Sequence, residues 1–171
     1  MLAFAFYIAC NPDRKEENKD FESGTEVVSG KKDSLVTFAG KVVGIKDGDT
    51  FEILRNGKAE KVRLADIDAP ESAQAYGRAA RKYASNLCYG KVVTVKPKKK
   101  RDQFGRVLGL IYTEDSLNVN EEMIKAGYAW RYKYSKNEAF LQLQKEAKVK
   151  KLGLWADDNA VNPWQWRKDN K

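Results

Sequence analysis

The chain has 171 residues, enough for one domain with a short extension. Its 32 lysines and arginines exceed its 24 aspartates and glutamates, giving a net charge of +8. This charge suits a nucleic acid or an anionic membrane surface, although basic proteins without such a partner also exist. Histidine is absent, which excludes histidine-activated nucleophiles, histidine metal sites and an imidazole general base. Hydrophobic residues make up 42% of the chain, enough for a packed core.

The N-terminal part differs in composition from the rest. Residues 1–10 are apolar and end at Cys10, and residues 11–33 are polar and charged. A short apolar segment that ends in a small residue and a cysteine resembles the end of a bacterial lipoprotein signal, in which the cysteine is acylated. We therefore expect a signal segment with lipidation at Cys10, a flexible linker at 11–33, and a folded domain at 34–171. Lipidation would anchor the protein to the cell envelope outside the cytoplasm. A cleaved secretion signal and a cytosolic extension are the alternatives.

The remaining chain alternates between strand and helix patterns. A hairpin turn is predicted at Asn56 and Gly57, because both residues tolerate positive φ. Five short strands with a helix between the third and the fourth are typical of an OB-type barrel. The predicted fold class is therefore α+β, mainly β: a five-stranded OB-fold barrel with three helices, preceded by the flexible N-terminal tail. Strands are predicted at 34–43, 50–54, 61–67, 92–95 and 107–112, and helices at 72–87, at 120–126, where Asn120 is the cap, and from a capping box at 135–138.

Three clusters of charged residues lie at the ends of predicted strands. They are Asp-Gly-Asp-Thr at 47–50, the segment from Arg63 to Glu71 with Asp-x-Pro-Glu at its end, and Asp-x-Phe-Gly-Arg at 102–106. Each cluster alone is common in charged turns. In this order, the three resemble the thermonuclease family, of which staphylococcal nuclease is the best-known member. The resemblance extends over residues 36–168 and includes the ending Pro-Trp-x-Trp-Arg at 163–167.

The resemblance implies a Ca²⁺-dependent nuclease that hydrolyses phosphodiester bonds of DNA and RNA and leaves 3′-phosphate ends. By position, Asp49, Asp68 and the backbone carbonyl of Ala69 would hold the ion, and Ca²⁺ prefers such oxygen ligands. Glu71 would act as a general base, or would orient a water molecule. Arg63 and Arg106 would grip the scissile phosphate, because a guanidinium fork matches its oxygens.

The resemblance also places a nucleotide pocket at Tyr132 and Tyr134, where bases would stack, and a substrate-binding position near a terminal phosphate at Phe104, which replaces a tyrosine of the staphylococcal enzyme. Such a pocket needs an unpaired base, so single-stranded or frayed substrate is expected, bound by a monomer. The basic run at 96–101 would add salt-dependent contacts to phosphates. Two other functions remain open: an OB-fold module that binds single-stranded nucleic acid without cutting it, and a surface-anchored adaptor that holds extracellular DNA. The presence of Asp49, Asp68 and the three catalytic candidates favours an enzyme.

Overall fold

The computed structural model describes residues 36–99 and 101–170. The predicted signal segment at 1–10, with Cys10, and the predicted linker at 11–33 lie outside the described residues. Their boundaries and the lipidation of Cys10 therefore stay predictions. Within the described ranges, no helix combines the length and the apolar character needed to cross a bilayer.

The predicted five-stranded barrel is confirmed. It closes in the order β1-β2-β3-β6-β5, and β1 pairs with β5 to complete it. All its pairs are antiparallel except β3 with β6, which is parallel. A separate two-stranded sheet joins β4 to β7. The strands of the described chain are β1 (Phe38–Ile45), β2 (Thr50–Arg55), β3 (Lys58–Leu64), β4 (Ile67–Asp68), β5 (Val92–Lys99), β6 (Val107–Thr113) and β7 (Trp130–Arg131).

The β2–β3 hairpin fixes the position of one candidate catalytic residue. Asn56 and Gly57 form its turn with φ of 49° and 76°, as the sequence predicts. The resulting register places Thr50 opposite Arg63. Side chains alternate along β3, so Val62 and Leu64 enter the core while Arg63 points to the other face. The hairpin thereby brings Arg63 beside the start of β2, directly after the first acidic cluster.

The helices differ from the prediction in number and in their first residues. The described chain has α1 (Gly77–Cys88), α2 (Val119–Lys125), α3 (Glu138–Val149) and α4 (Pro163–Asp169), with a short 3₁₀ helix at Gly153–Ala156. The sequence pattern does not predict α4. It predicts a first helix from residue 72, whereas residues 72–76 form turns before α1 begins. The conformation of Tyr76, with φ of 66°, is not helical.

Two predicted helix caps are wrong. The cap of α2 is Asn118, whose side chain accepts hydrogen bonds from the backbone N–H groups of Asn120 and Glu121. Asn120 is instead fully buried behind the barrel. The cap of α3 is Asn137, two residues after the predicted Ser135. The Ser135 hydroxyl donates to Asp66 Oδ1, so it fastens the loop before β4.

The hydrophobic core fills the barrel and continues under α1 and α2. Phe51, Ile53 and Ile111 are fully buried inside the barrel, and Met123 from α2 packs against the same core. A second cluster anchors the C-terminal segment. Trp155 is buried there and meets Trp130 of β7 edge to face, with ring centroids 4.2 Å apart.

Candidate active site

Asp49 ends the turn between β1 and β2 and faces inward, only 4% exposed. Its Oδ2 accepts a hydrogen bond of 2.6 Å from the backbone N–H of Ala69, and its Oδ1 accepts one of 3.3 Å from the Thr50 hydroxyl. Gly48 makes this close approach possible. A Cβ at position 48 would lie 2.7 Å from the Ala69 Cβ and 2.9 Å from the Ala80 Cβ. The turn therefore packs Asp49 directly against the loop that follows β4.

Arg63 joins the two candidate metal-ligand carboxylates. Its Nη2 lies 3.0 Å from Asp49 Oδ2 and 2.8 Å from Asp68 Oδ1. Its Nη1 donates to the backbone carbonyls of Leu64 and Ile67. These four contacts fix the guanidinium, and only 12% of the side chain is exposed. Two carboxylate oxygens from distant parts of the chain thus converge on a single nitrogen.

Glu71 lies in the loop between β4 and α1, where its side chain is 32% exposed. Its backbone N–H donates to Gln74 Oε1. Gly77 allows the loop to fold back on itself, because a Cβ there would lie 1.8 Å from the Glu71 carbonyl oxygen. Asp68 precedes this loop in β4, paired with Trp130, and is 1% exposed. Asp68 is thus the last residue of a strand and Glu71 follows it in a loop, but the single strand predicted at 61–67 is divided into β3 and β4 by a turn at 65–66.

The structure adds Arg167, which was not among the site residues predicted from the sequence. Its Nη2 lies 2.7 Å from Asp68 Oδ2, and its Nη1 lies 3.2 Å from Asp68 Oδ1 and 2.7 Å from Glu71 Oε1. Burial alone would lower the pKa of Arg167, but its hydrogen bonds to the two carboxylates outweigh this effect and raise the pKa. In the sequence, Arg167 follows Trp164 and Trp166. This position does not indicate which carboxylates the arginine contacts.

Arg106 lies immediately before β6, beside the turn that carries Asp49. Its Nη1 is 3.5 Å from the Thr50 hydroxyl, which in turn bonds Asp49. Asp102 holds the guanidinium from the other side, with Arg106 Nε and Nη2 each 2.8 Å from its Oδ2. Burial alone would raise the pKa of Asp102, but the Arg106 backbone and guanidinium hold it below its ordinary value. Arg106 is therefore oriented toward the Asp49 turn and stays partly exposed.

The predicted substrate-binding residues form two separate exposed features. Tyr132 and Tyr134 meet edge to face with ring centroids 5.5 Å apart, and Tyr134 is 72% exposed. Phe104 is 70% exposed at the tip of the β5–β6 hairpin, and the Arg106 guanidinium lies 5.3 Å from its ring centroid. A backbone hydrogen bond links the tyrosine pair to the site, because the Tyr132 N–H donates to the carbonyl of Asp66, two residues before Asp68.

Three charged residues of the basic run at 96–101 have partners within the protein. Lys98 pairs with Asp66, and Arg101 makes a two-pronged contact with Glu60. The Lys96 ammonium lies 4.5 Å from the ring centroid of Tyr112. Since several of these charges already have partners, the run offers less positive charge to a nucleic acid than its sequence indicates.

Burial raises the pKa of Asp49 to about 8, even though Arg63 beside it favours the charged form; Asp47 and Asp68 add to the rise. A carboxyl group in this condition stays charged at neutral pH only if positive charge is supplied nearby. In the described part of the chain, no group of three or more acidic, cysteine or histidine side chains forms a metal cluster. The oxygens of Asp49 and Asp68 converge on Arg63 Nη2, and carboxylate oxygens placed together in this way suit a hard cation.

Oxygen ligands, a half-exposed carboxylate and several guanidinium groups are together what an enzyme needs to hydrolyse a phosphate ester. Comparisons with known proteins agree with this class. A family model described as staphylococcal nuclease homologue matches residues 61–157. An uncharacterized endonuclease of Escherichia coli is 46% identical over 129 residues, covering 75% of this chain and 84% of the relative.

Two further relatives point the same way. An uncharacterized endonuclease of Haemophilus influenzae is 47% identical over 133 residues, covering 77% of this chain and 74% of its own. A micrococcal nuclease of Shigella flexneri is 42% identical over 145 residues, covering 78% of this chain and 83% of its own. The chain therefore belongs to the staphylococcal nuclease homologue family, and it is a nuclease.

Proposed function

We propose that the protein is a Ca²⁺-dependent endonuclease that hydrolyses phosphodiester bonds of DNA and RNA and leaves 3′-phosphate ends. One observation supports this most strongly. Two buried carboxylates, from Asp49 and Asp68, converge within 3.0 Å of a single guanidinium nitrogen, and the half-exposed Glu71 lies beside them. The two buried groups are suited to hold a cation, whereas the exposed one is accessible to water.

Each side chain has a role that its contacts support. Asp49 and Asp68 would hold Ca²⁺ together with the Ala69 carbonyl, and the bound ion would polarise the phosphate and lower the pKa of a water molecule. Arg63 Nη1 is held by two backbone carbonyls, whereas Nη2 contacts the Asp49 and Asp68 carboxylates. Nη2 would meet a phosphate oxygen once a bound cation takes over those carboxylate oxygens. Arg106, held by Asp102, would contact the phosphate from the β6 side.

Glu71 would accept the proton of the attacking water or orient that water. One of its oxygens is engaged by Arg167, and the side chain remains accessible to solvent. Both roles need a carboxylate within hydrogen-bond distance of water. The exposed pair of Tyr132 and Tyr134 would stack an unpaired base, which favours single-stranded or frayed substrate. Phe104, beside Arg106, would add a second apolar contact.

A chelator-controlled cleavage assay tests this function. Plasmid DNA, single-stranded DNA and RNA are each incubated with the protein and Ca²⁺, with and without chelator. Cleavage that the chelator abolishes supports the proposal, and Glu71→Gln should lower kcat by about a hundredfold. Glu138→Gln, an exposed change on α3, removes the same charge and serves as the matched control. Binding without cleavage would favour the non-catalytic module or the adaptor.

We also propose that the nuclease acts outside the cytoplasm, attached to the cell envelope through a lipid on Cys10. Only the sequence supports this location, through the apolar segment at 1–10 and the charged linker behind it. Mass spectrometry of the mature N-terminus tests it. An acylated Cys10 supports the anchor, a cleaved chain without lipid supports secretion, and an intact N-terminus at Met1 contradicts both.

A further inference from the structure

The guanidinium of Arg167 contacts a buried and a half-exposed carboxylate at the same time. Its Nη1 lies between Asp68 Oδ1, at 3.2 Å, and Glu71 Oε1, at 2.7 Å, while its Nη2 binds Asp68 Oδ2 at 2.7 Å. Arg167 lies 96 residues after Glu71 in the chain. A residue of the last helix is therefore built into the centre of the candidate active site.

The helix that carries Arg167 is anchored independently of this contact. Pro163 is buried, and Trp164 meets Trp130 edge to face with centroids 5.8 Å apart. Just before α4, the carbonyl of Val161 accepts a hydrogen bond of 2.6 Å from Gln74 Nε2. Since these contacts already hold the segment, Arg167 is not needed merely to fasten α4 to the domain.

We propose that Arg167 is a positioning residue for the hydrolysis, which sets the Glu71 carboxylate at a fixed distance from Asp68. This inference rests on the proposed function, because Glu71 must be the group that handles the attacking water. A glutamate on a loop has several rotamers of similar energy, and a productive geometry needs one of them. By holding Oε1, Arg167 selects a rotamer and leaves the second oxygen to face water.

The planar fork of arginine matters for this role. Arg167 makes three contacts with two nitrogens, and its plane aligns both oxygens of Asp68 with one oxygen of Glu71. A lysine ammonium is a point charge on a flexible stem and cannot impose that alignment. The expected order of activity is therefore arginine, then lysine, then glutamine at position 167.

Steady-state kinetics on a single-stranded oligonucleotide test the inference. We expect Arg167→Gln to lower kcat by about tenfold or more while KM changes by less than about threefold, because the lost contact orients Glu71 and not the substrate. Arg167→Lys should recover part of the rate. Lys168→Gln removes the same charge from the same helix and should leave both constants unchanged. Thermal unfolding of each variant shows whether the domain remains folded.

A double-mutant cycle separates positioning from direct action. If Arg167 works through Glu71, Arg167→Gln should change the rate of the Glu71→Gln enzyme by less than about threefold. The melting temperatures should also be non-additive: the double variant should lose less than the two single losses combined. Millimolar guanidinium chloride should restore part of the activity of Arg167→Ala, whereas the same concentration of sodium chloride should not.

Three outcomes would overturn the inference. Unchanged kcat in Arg167→Gln would show that the contact is only structural. An equal loss in the Glu71→Gln background would show that Arg167 acts on the substrate or through Asp68. A faster variant with tighter Ca²⁺ binding by calorimetry would show that Arg167 blocks the site. In each case the wild type still cleaves, whereas an inactive wild type would reject the proposed function itself.

Discussion

Replacing Asn120 by alanine tests whether a buried amide holds the candidate active site in place. Asn120 is fully buried between α2 and the barrel. Its Oδ1 accepts a hydrogen bond of 3.1 Å from the Ile111 N–H, and its Nδ2 donates to the carbonyls of Ala65 at 2.9 Å and Gly109 at 3.3 Å. Ala65 follows β3 and lies three residues before Asp68. The amide thus ties the β3–β4 connection to β6 and α2.

The size of the effect follows from which groups lose their partners. The Gly109 carbonyl keeps a second hydrogen bond, from the Ala65 N–H. The Ile111 N–H and the Ala65 carbonyl lose the side-chain partner, and each buried group left without a hydrogen bond costs about 1–3 kcal/mol. We expect the free energy of unfolding to fall by roughly 2–5 kcal/mol in Asn120→Ala. The Tm should then drop by about 10 °C for a domain of this size.

Urea unfolding monitored by tryptophan fluorescence measures the decrease in the free energy of unfolding. Asn118→Ala is the matched control, because it removes an asparagine from the same helix start but costs only the cap, about 1 kcal/mol. Cleavage measured well below the Tm should also fall in Asn120→Ala, because the segment before Asp68 is released. A loss no larger than that of Asn118→Ala would refute the reasoning.

Three further predictions concern Gly48, the buried thiol of Cys88 and the contact between Asp102 and Arg106. Gly48→Ala places a Cβ 2.7 Å from that of Ala69. It should therefore lower the free energy of unfolding by about 1–3 kcal/mol and should also lower the cleavage activity. Wild-type values for both quantities would contradict the close packing. Burial raises the pKa of the Cys88 thiol to about 12, so in a Cys10→Ser background the native protein should resist a thiol reagent near neutral pH and react fully in concentrated urea. Because the pKa of Asp102 is held below its ordinary value, its stabilising contribution exists above about pH 4 and is lost as the pH falls through the folded pKa. Asp102→Asn should therefore show a weaker loss of Tm on acidification than the wild type, and parallel Tm curves would contradict this.

The β2–β3 hairpin could be predicted because its signals are local. Strand alternation separates Val62 and Leu64 from Arg63, and a turn of Asn56 and Gly57 sets the register of the hairpin. Once that register is fixed, Arg63 must lie beside Thr50 and hence beside Asp49. The hairpin and the first half of the site therefore follow from patterns only a few residues long, whereas the β1–β5 and β3–β6 pairings join distant segments.

The helix starts could not be fixed in the same way. Asn118 and Asn120 are both suitable caps, and so are Ser135 and Asn137, so local preference does not choose between them. The choice depends on tertiary contacts. Asn120 lies in the core because its side chain hydrogen-bonds to the Ile111 N–H and the Ala65 carbonyl, and Asn118 therefore caps α2.

Arg167 illustrates a different limit. Its partners Asp68 and Glu71 lie 99 and 96 residues earlier in the chain, and no periodic pattern links such distant positions. The contact depends on where α4 docks, which is set by Trp164 against Trp130. Contacts between such separated segments can be predicted only when the position of α4, which the aromatic cluster sets, is known.

The charge arrangement of the site argues for function more strongly than for stability. Burial raises the pKa of Asp49 to about 8, so its charged form is unfavourable in the folded protein until more positive charge arrives. A buried ion pair such as Asp68 with Arg63 contributes little net stability compared with apolar residues of the same shape. A fold selected for stability alone would have no reason to bury Asp49 and Asp68 beside each other. Their placement is explained if a divalent cation and a phosphate complete the cluster during the reaction.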